Sequence, residues 1–464
     1  MTTQTAAGRR RLLAVGAAVI ALLTANAGTI ATADPAPVAV APAAAVPLPP
    51  ELDPGFYRPA PDRVAAAAEG EIIAARQVNV ANFGLIPLNV DAWQVSYRSN
   101  NSRGEATPAV ATVLKPRGSA PDKLMSMQIA ADSLGAYCAP SYAVQQWSAA
   151  TALGQVVAPL EFIVAQGALQ QGWGVVIPDH QGPNEAYAAG PLAGRITLDG
   201  IRAALAFEPM RLPADTRVGM YGYSGGAIAT GHAAELKRTY APELNIVGAA
   251  EGGVPADLRY VLENGNNGIW SGMILAAVIG LSREYPELAA LLNRDLDPLG
   301  TALATVKGGL CVQWNTALAP FLNVKGLLRT AGDPIDHPVV REVLDITRMG
   351  KSVPDMPMYI WQGNPDELIP VGPVNTLVDT YCQDPSATVR YTREHLSEHI
   401  TTELSGGGPA MLWLRDRLNG IPAQPGCSTT DAGWLALDPE GTALSLRTFG
   451  EAFASFFGKP IGVG

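Results

Sequence analysis

The chain has 464 residues, of which 48% are hydrophobic and 16% are charged, and its formal net charge is −10. This length and apolar content suit a globular protein with a large buried core and exclude an intrinsically disordered chain. The acidic balance argues against a nucleic-acid partner, because affinity for phosphate backbones comes from clustered Lys and Arg.

Residues 1–33 are predicted to be a secretory signal peptide. Arg9–Arg11 precede the apolar stretch Leu12–Leu23, and small residues follow it, with A-x-A sites that end at Ala27 and Ala33. The apolar stretch is shorter than the roughly 20 residues that span a bilayer, so a removed signal is favoured over a membrane anchor, with cleavage after Ala33. Removal takes away three arginines and no acidic residue, which makes the charge −13. The export route, Sec or twin-arginine, is left open.

Residues 34–50 are rich in Ala, Pro and Val, and this composition predicts an extended and mobile tether. In the folded body that begins near residue 51, strand-like runs are predicted at Gln94–Arg98, Val110–Lys115, Leu124–Ala130, Trp173–Pro178, Val218–Tyr221, Met356–Trp361 and Val389–Thr392. Short connections join the early strands, with a hairpin turn predicted at 101–104, while helical stretches separate later ones. This arrangement predicts a mixed sheet with an antiparallel edge, covered by helices on both faces.

The alternation of strands and helices stops between about Val254 and Gly350. Amphipathic helical stretches occur there without clear strand patterns, at Ile269–Leu281, Glu287–Leu292 and Pro338–Thr347. After them the strand patterns resume, and a last helix is predicted at Pro409–Leu418. We therefore predict one α/β core, formed by residues 51–253 and 351–464, with a helical cap or lid inserted at 254–350.

Residues 222–226 read Gly-Tyr-Ser-Gly-Gly and lie between a strand-like run, Arg217–Tyr221, and the helical run Ala227–Lys237. This is the setting of a nucleophile elbow, in which flanking glycines let a sharp strand-to-helix turn present a serine hydroxyl. In a chain with 48 glycines the five-residue pattern alone is weak, because a glycine-rich turn can carry an ordinary serine. The strand before it and the helix after it favour an α/β-hydrolase fold with Ser224 as nucleophile.

In such hydrolases the nucleophile is followed along the chain by an acid and then by a histidine, each on a loop just beyond a strand. The turn-rich segment 363–370 follows a predicted strand and contains Asp366, our candidate for the orienting acid, with Glu367 as the alternative. His395 and His399 both follow the last predicted strand, and spacing alone does not separate them.

The remaining histidines fit the role of general base less well. His180 precedes the nucleophile in the chain, His232 lies on the helix that follows it, and His337 lies near the end of the predicted cap.

Four cysteines, an even number, suit an exported protein with two disulfide bonds. No C-x-x-C spacing indicates zinc or redox chemistry. Three pairings are possible, and the simplest joins the two near the C-terminus, Cys382 and Cys427, and leaves Cys138 with Cys311.

Taken together, the motifs of this chain resemble those of the secretory lipases, the bacterial and fungal family related to lipase A of Candida antarctica. The matching segments are Asp53–Tyr57, Ala131–Ser133, Cys138–Ser141, Pro178–Pro183, Leu198–Ala203, Gly222–Gly226, Gly363–Pro370 and Ser397–His399. The resemblance covers about Asp53 to Leu418.

The resemblance implies a secreted α/β-hydrolase that cleaves lipid esters by means of Ser224, His399 and Asp366, with His395 as the fallback base. It also implies the disulfides Cys138–Cys311 and Cys382–Cys427 and an oxyanion hole formed by the backbone N–H groups of Gly225 and Asp132. It implies no metal and no cofactor, and the sequence shows no ligand cluster for either. Transient contact with a lipid–water interface is expected, whereas a transmembrane segment in the mature chain is not. Oligomeric state and attachment to the cell wall are left open.

The substrate follows less directly from the sequence. The apolar stretch Trp270–Leu281 suits either an acyl tunnel or the packed core of the cap. Three alternatives to a lipase are a secreted esterase or acyltransferase acting on soluble or cell-envelope esters, a peptidase of related fold, and a non-catalytic binding module on the same fold.

Overall fold

The computed structural model describes residues 38–462 of the chain, and the predicted signal peptide, residues 1–33, lies outside this range. The strands in the described part are β1 Val40–Ala41, β2 Ile72–Gln77, β3 Ala81–Asn82, β4 Ile86–Pro87, β5 Val90–Asn100, β6 Ala106–Pro116, β7 Lys123–Gln128, β8 Gly174–Pro178, β9 Arg217–Tyr223, β10 Ile246–Gly252, β11 Met358–Gly363, β12 Thr388–Glu394 and β13 Gly426–Ala432.

Within residues 38–462, one eleven-stranded sheet contains all of these strands except β3 and β4, in the order β1-β2-β5-β6-β8-β7-β9-β10-β11-β12-β13. From β8 to β13 all neighbours are parallel. At the other edge β2, β5, β6 and β8 pair antiparallel, and the β5–β6 hairpin turns at residues 101–105. The predicted mostly parallel sheet with an antiparallel edge is confirmed.

The helices in the described part are α1 Pro54–Tyr57, α2 Pro61–Ala66, α3 Pro140–Ala143, α4 Val157–Gln170, α5 Gly190–Ala206, α6 Gly225–Tyr240, α7 Leu258–Gly265, α8 Ser271–Glu284, α9 Pro286–Asp295, α10 Pro298–Lys307, α11 Val312–Ala317, α12 Pro338–Thr347, α13 Val371–Tyr381, α14 His399–Leu418 and α15 Pro439–Ser455.

The central strands are buried on both faces because helices cover each side of the sheet. On β8, Val176 belongs to a core shared with α5, α6 and α13, whereas its neighbours Val175 and Ile177 belong to a second core with α4 and α14. Successive side chains of a strand point to opposite faces, so a continuous run of apolar residues supplies both cores. This explains why β8 reads as an unbroken apolar run in the sequence.

The helices α7 to α12 lie between β10 and β11, in the part of the chain predicted to be a cap. Within the stretch Trp270–Leu281 most apolar side chains are buried. Leu275 and Leu281 line an apolar cavity of about 70 Å³, roughly the room that two water molecules take in the liquid. This stretch therefore acts mainly as the packed core of the helical segment.

Helix α14 begins at His399, ten residues before the predicted start at Pro409, so that part of the prediction was wrong. Pro409 lies inside the helix, and the glycines before it serve close packing: a methyl group at Gly408 would overlap the carbonyl oxygen of Gly441, at the start of α15. The close contact between two helices thus explains the glycine that directly precedes Pro409 within the helix.

Four strands of the sheet were not predicted: β1, β2, β10 and β13. β10 consists largely of Ala and Gly, and β13 is an exposed, polar edge strand, so neither carries the β-branched alternation typical of strands. β2 is only partly buried. Residues 34–50 were predicted to be an extended and mobile tether, but Val40 and Ala41 within them pair in parallel with β2.

Both expected disulfide bonds are present, and they use all four cysteines. Cys382–Cys427 fixes the edge strand β13 to the end of α13, and Cys138–Cys311 joins the loop after β7 to the helical segment. Within residues 38–462, no helix combines the length and the apolar character needed to cross a membrane.

Candidate active site

Ser224 occupies the tight turn between β9 and α6. Its backbone has a φ of 50°, in a region that non-glycine residues rarely adopt and that strained functional turns use. A methyl group at Gly226 would overlap the carbonyl oxygen of Gln128 on β7, and one at Gly222 would come within 2.5 Å of the Gly226 carbonyl oxygen. The motif therefore needs glycine on both sides, and the turn leaves Ser224 partly exposed.

His399 lies beside this serine, with its Nε2 atom 2.9 Å from Ser224 Oγ. It is the first residue of α14, and the side chain of Glu398 caps that helix by accepting hydrogen bonds from the N–H groups of Ile400 and Thr401. The hydroxyl of Tyr223 donates a hydrogen bond of 2.6 Å to the carbonyl oxygen of His399. The residue next to the serine thus fixes the backbone of the histidine.

Asp366 completes the chain of hydrogen bonds, because its Oδ2 atom lies 2.7 Å from His399 Nδ1. Its other oxygen accepts hydrogen bonds from the N–H groups of Leu368 and Ile369, at 2.9 and 2.7 Å. Gln362, on β11, donates a further bond to Oδ2. These donors hold one carboxylate orientation, which in turn fixes the orientation of the imidazole.

The electrostatic environment of His399 favours its charged form. Burial lowers the pKa of the imidazole, but the hydrogen bond to Asp366 and the negative charges of Asp366, Glu403 and Glu367 together raise it by more, so the pKa lies above its ordinary value of 6.5. Such a histidine accepts a proton more readily than one that is free in water.

The structure does not bring the fallback residues into the same arrangement. His395 is 40% exposed, and its two ring nitrogens contact Asn364 and Asp431. Glu367 accepts a hydrogen bond from the indole N–H of Trp270, and its other oxygen lies 3.4 Å from the backbone nitrogen of His399.

The other three histidines serve structure in this fold. His180 donates a hydrogen bond to the carbonyl oxygen of Ile129, and His232 to that of Ile228. Burial lowers the pKa of each of these two imidazoles to about 4, so both are neutral near pH 7. His337 caps α12.

Asp132 and Gly225, the predicted oxyanion pair, lie in direct contact. A methyl group at Gly225 would overlap the Oδ1 atom of Asp132, and Asp132 itself has a φ of 45°. The left-handed backbone turns the loop after β7 sharply at this point. Asp132 and Ser224, both with a positive φ, therefore follow the neighbouring strands β7 and β9.

Buried amide side chains hold the loop that carries Asp132. The Nε2 atom of Gln155 lies within 3.2 Å of the carbonyl oxygens of Ala131 and Cys138 and of the hydroxyl of Ser133. Gln181 exchanges two hydrogen bonds with the backbone of Ser133. Because these bonds bracket residue 132 on both sides, they fix the direction of its backbone N–H.

Three further carboxyl groups alter the charge around the site. Burial raises the pKa of Asp132 to about 7, although a protonated His399 opposes this effect. Burial also raises the pKa of Glu403 to about 7, and burial together with the charge of Glu403 raises that of Glu161 well above its ordinary value. The charge next to His399 therefore changes near neutral pH.

Several residues that shape the site were not predicted: Gln155, Gln181, Gln362, Glu161, Glu403 and the hydroxyl of Tyr223. Gln181 and Tyr223 stand inside recognisable motifs, which is the one signal that could have found them. The others lie in stretches of the sequence without a motif. Within residues 38–462, no group of three or more His, Cys, Asp or Glu side chains is placed to hold a metal ion.

Comparison with known proteins gives consistent matches over most of the chain. Residues 147–426 match the family model of the secretory lipases. A Malassezia globosa protein named secreted triacylglycerol lipase LIP4 is 36% identical over 386 residues, which are 82% of this chain and 83% of that protein. A Mycobacterium tuberculosis protein named as a probable inactive lipase is 34% identical over 391 residues, 81% and 84% of the two chains.

A solved structure agrees with this fold. The crystal structure of Candida antarctica lipase A in its closed state has a TM-score of 0.79 and 32% sequence identity, and the match covers 89% of this chain and 99% of that one. The similarity extends over both parts of the α/β core and identifies the fold as that of an α/β-hydrolase.

We predict that Gln155→Leu slows labelling of the protein by a fluorophosphonate by about tenfold to a hundredfold, because displacement of the backbone N–H of Asp132, the predicted oxyanion donor, should cost this much even when the other groups of the site remain in place. The second-order rate of labelling measures the effect. Gln383→Leu, at an exposed position without a side-chain hydrogen bond, is the control and should leave the rate unchanged. A Gln155→Leu protein that loses stability but labels at the normal rate would show that this amide supports only the fold.

Proposed function

This chain belongs to the secretory lipase family, and on that premise we propose that it cleaves the carboxylic ester bonds of lipids, as a triacylglycerol lipase does, through a Ser-His-Asp triad. The proposal rests chiefly on the unbroken hydrogen-bond chain from Asp366 through His399 to Ser224, with distances of 2.7 and 2.9 Å. It assigns the nucleophile to Ser224, the general base to His399 and the orienting acid to Asp366.

The reaction would proceed in two halves. His399 Nε2 removes the proton of Ser224 while Oγ attacks the ester carbonyl carbon, and the N–H groups of Gly225 and Asp132 stabilise the oxyanion. The C–O bond to the alcohol then breaks as His399 returns the proton to the leaving oxygen. A water molecule, deprotonated by the same histidine, attacks the acyl-enzyme and releases the carboxylic acid. Asp366 stays ionised and stabilises the imidazolium in both halves.

An extracellular location follows from the family, whose members are described as secretory, and from the two disulfide bonds. Disulfides persist in oxidising compartments and are rare in the cytosol. The signal peptide at residues 1–33, with cleavage after Ala33, remains part of this proposal.

We further propose that residues 254–350 form a cap over the site. Trp270 and Asn264, both in this segment, donate hydrogen bonds to the side chain and backbone of Glu367, next to the orienting acid. The N–H of Val312 also bonds to Ser133, beside Asp132. The segment thus contacts the loops of two catalytic elements.

A non-catalytic module on this fold is the second candidate, because one relative is named as a probable inactive lipase. The geometry of this chain favours catalysis, since serine, histidine and aspartate are all present at bonding distance. An esterase or acyltransferase for soluble or cell-envelope esters would use the same triad and differ only in the substrate that it binds.

We predict that a fluorophosphonate labels the protein at Ser224, and that Ser224→Ala abolishes the labelling. His399→Ala should lower kcat/KM by about four orders of magnitude or more, as loss of the base does in other serine hydrolases. His395→Ala is the matched control and should retain most activity, because its ring contacts Asn364 and Asp431. Loss of activity on changing His395 with retention on changing His399 would overturn the assignment, and an unlabelled wild-type protein would favour the non-catalytic module.

We predict an acid limit of kcat/KM that lies above the ordinary pKa of histidine. The base must be neutral to accept a proton, and His399 has a raised pKa, so activity is lost on acidification earlier than for an unperturbed imidazole. Asp366→Asn removes the interaction that raises this pKa and should move the limit to lower pH while it lowers kcat by about 10⁴. Asp431→Asn, which faces His395, is the control. An acid limit that Asp366→Asn leaves in place would contradict this assignment.

We predict that activity on p-nitrophenyl esters rises with acyl chain length and that emulsified triglyceride is hydrolysed. Each buried methylene contributes about 0.8 kcal/mol to binding, so a lipid substrate should favour long chains. A profile that peaks at acetate, without triglyceride hydrolysis, would instead support the esterase alternative. Transfer of the acyl group to an added alcohol, in preference to water, would support the acyltransferase.

A further inference from the structure

We infer that an exposed apolar patch formed by α4, α14 and α15 docks on the surface of uncharged, aggregated lipid. This inference rests on the proposed function, because it names the surface through which a lipid-ester hydrolase would meet its substrate. We call it the α15 patch.

The first part of the α15 patch is a stripe along one helix. Leu446, Phe449 and Phe453 lie on α15, and Phe457 follows directly after it. Their spacing of three, four and four residues places them on one face of the helix. All four side chains are at least half exposed, and Phe457 is 81% exposed. The opposite face, with Thr448 and Ala452, is buried against α4 and α14.

The second part is an apolar groove of about 240 Å³ beside the stripe. Phe449 lines it together with Leu160 and Val164 of α4 and with Ile400 and Leu404 of α14. Leu160, Ile400 and Leu404 are largely exposed. A helix stripe and a groove from three helices thus form one continuous apolar surface, of the kind that marks an interaction site in a soluble protein.

This surface adjoins the catalytic histidine. His399 is the first residue of α14, Ile400 follows it, and Leu404 lies on the next turn of the same helix. Glu403, whose charge acts on His399, lines the groove as well. A lipid particle on the groove of the α15 patch would therefore lie close to His399, whose ring contacts Ser224.

Charge decides the kind of lipid surface. The mature chain would carry a formal charge of −13, so an anionic bilayer would repel it. The exposed stripe has three phenylalanines and a leucine and no positive charge among its four members. Insertion of such residues into an uncharged or zwitterionic interface requires only apolar contact. A second copy of the chain is a less suitable occupant of this patch, because it would cover the surface next to His399.

The test compares two triple variants. One changes the patch, Phe449→Ser, Phe453→Ser and Phe457→Ser. The control changes exposed apolar residues near the N-terminus of the described chain, Val46→Ser, Leu48→Ser and Leu52→Ser, which are exposed to a similar degree. We measure partitioning onto phosphatidylcholine vesicles, with and without an anionic lipid, and the rate on emulsified triolein relative to the rate on soluble p-nitrophenyl butyrate.

The patch variant should lose at least tenfold in partitioning and in the triolein-to-butyrate rate ratio, whereas the control should change by less than threefold. Anionic lipid should not improve binding of the wild-type protein. An equal or larger loss in the control, or no loss in the patch variant, would overturn the inference. A concentration-dependent dimer that only the patch variant abolishes would also overturn it and identify the patch as an interface between copies.

Vesicle partitioning of Ser224→Ala protein separates this inference from the proposed function. If that protein binds vesicles through the patch while the wild-type protein cleaves no ester, the docking surface stands and the proposed activity fails. If esters are cleaved and the patch variant partitions normally, the activity stands and the docking surface fails.

Discussion

The hydrogen-bond chain from Asp366 through His399 to Ser224 is the interaction on which the rest of the site depends. Its three members follow β11, β12 and β9, which lie close together in one parallel array. Parallel strands all end at the same edge of a sheet, so residues separated by up to 175 positions in the chain meet there. The large two-faced core serves to keep these strand ends in register.

The sequence carried enough information to predict Ser224 and the parallel array around it, because the elbow needs glycines at fixed positions and a strand and helix on either side. Spacing alone did not separate His395 from His399, since both follow β12, and only the resemblance to the secretory lipases favoured His399. The structure shows the physical difference. The backbone N–H of His395 still bonds to Ala432 of β13, whereas His399 begins a helix that turns back over the sheet.

Most of the residues that hold the site in place could not be predicted from the sequence. Gln155 and Gln362 are amides without a motif, and their roles depend on which buried carbonyl and carboxylate groups the fold brings next to them. The start of α14 was missed for a related reason. The helix was predicted to begin only at Pro409, and glycine and proline are disfavoured inside helices, but here Gly408 allows α14 and α15 to approach closely.

The bond between Cys138 and Cys311 limits how the helical segment can move. It ties the loop just after Asp132 to the start of α11, so this part of the helical segment stays beside the sheet while the bond is intact. A movement of the segment would therefore have to come from helices away from Cys311, such as α7 and α8 on either side of Trp270. Reduction of the bond would remove this constraint and would also loosen the loop that carries Asp132.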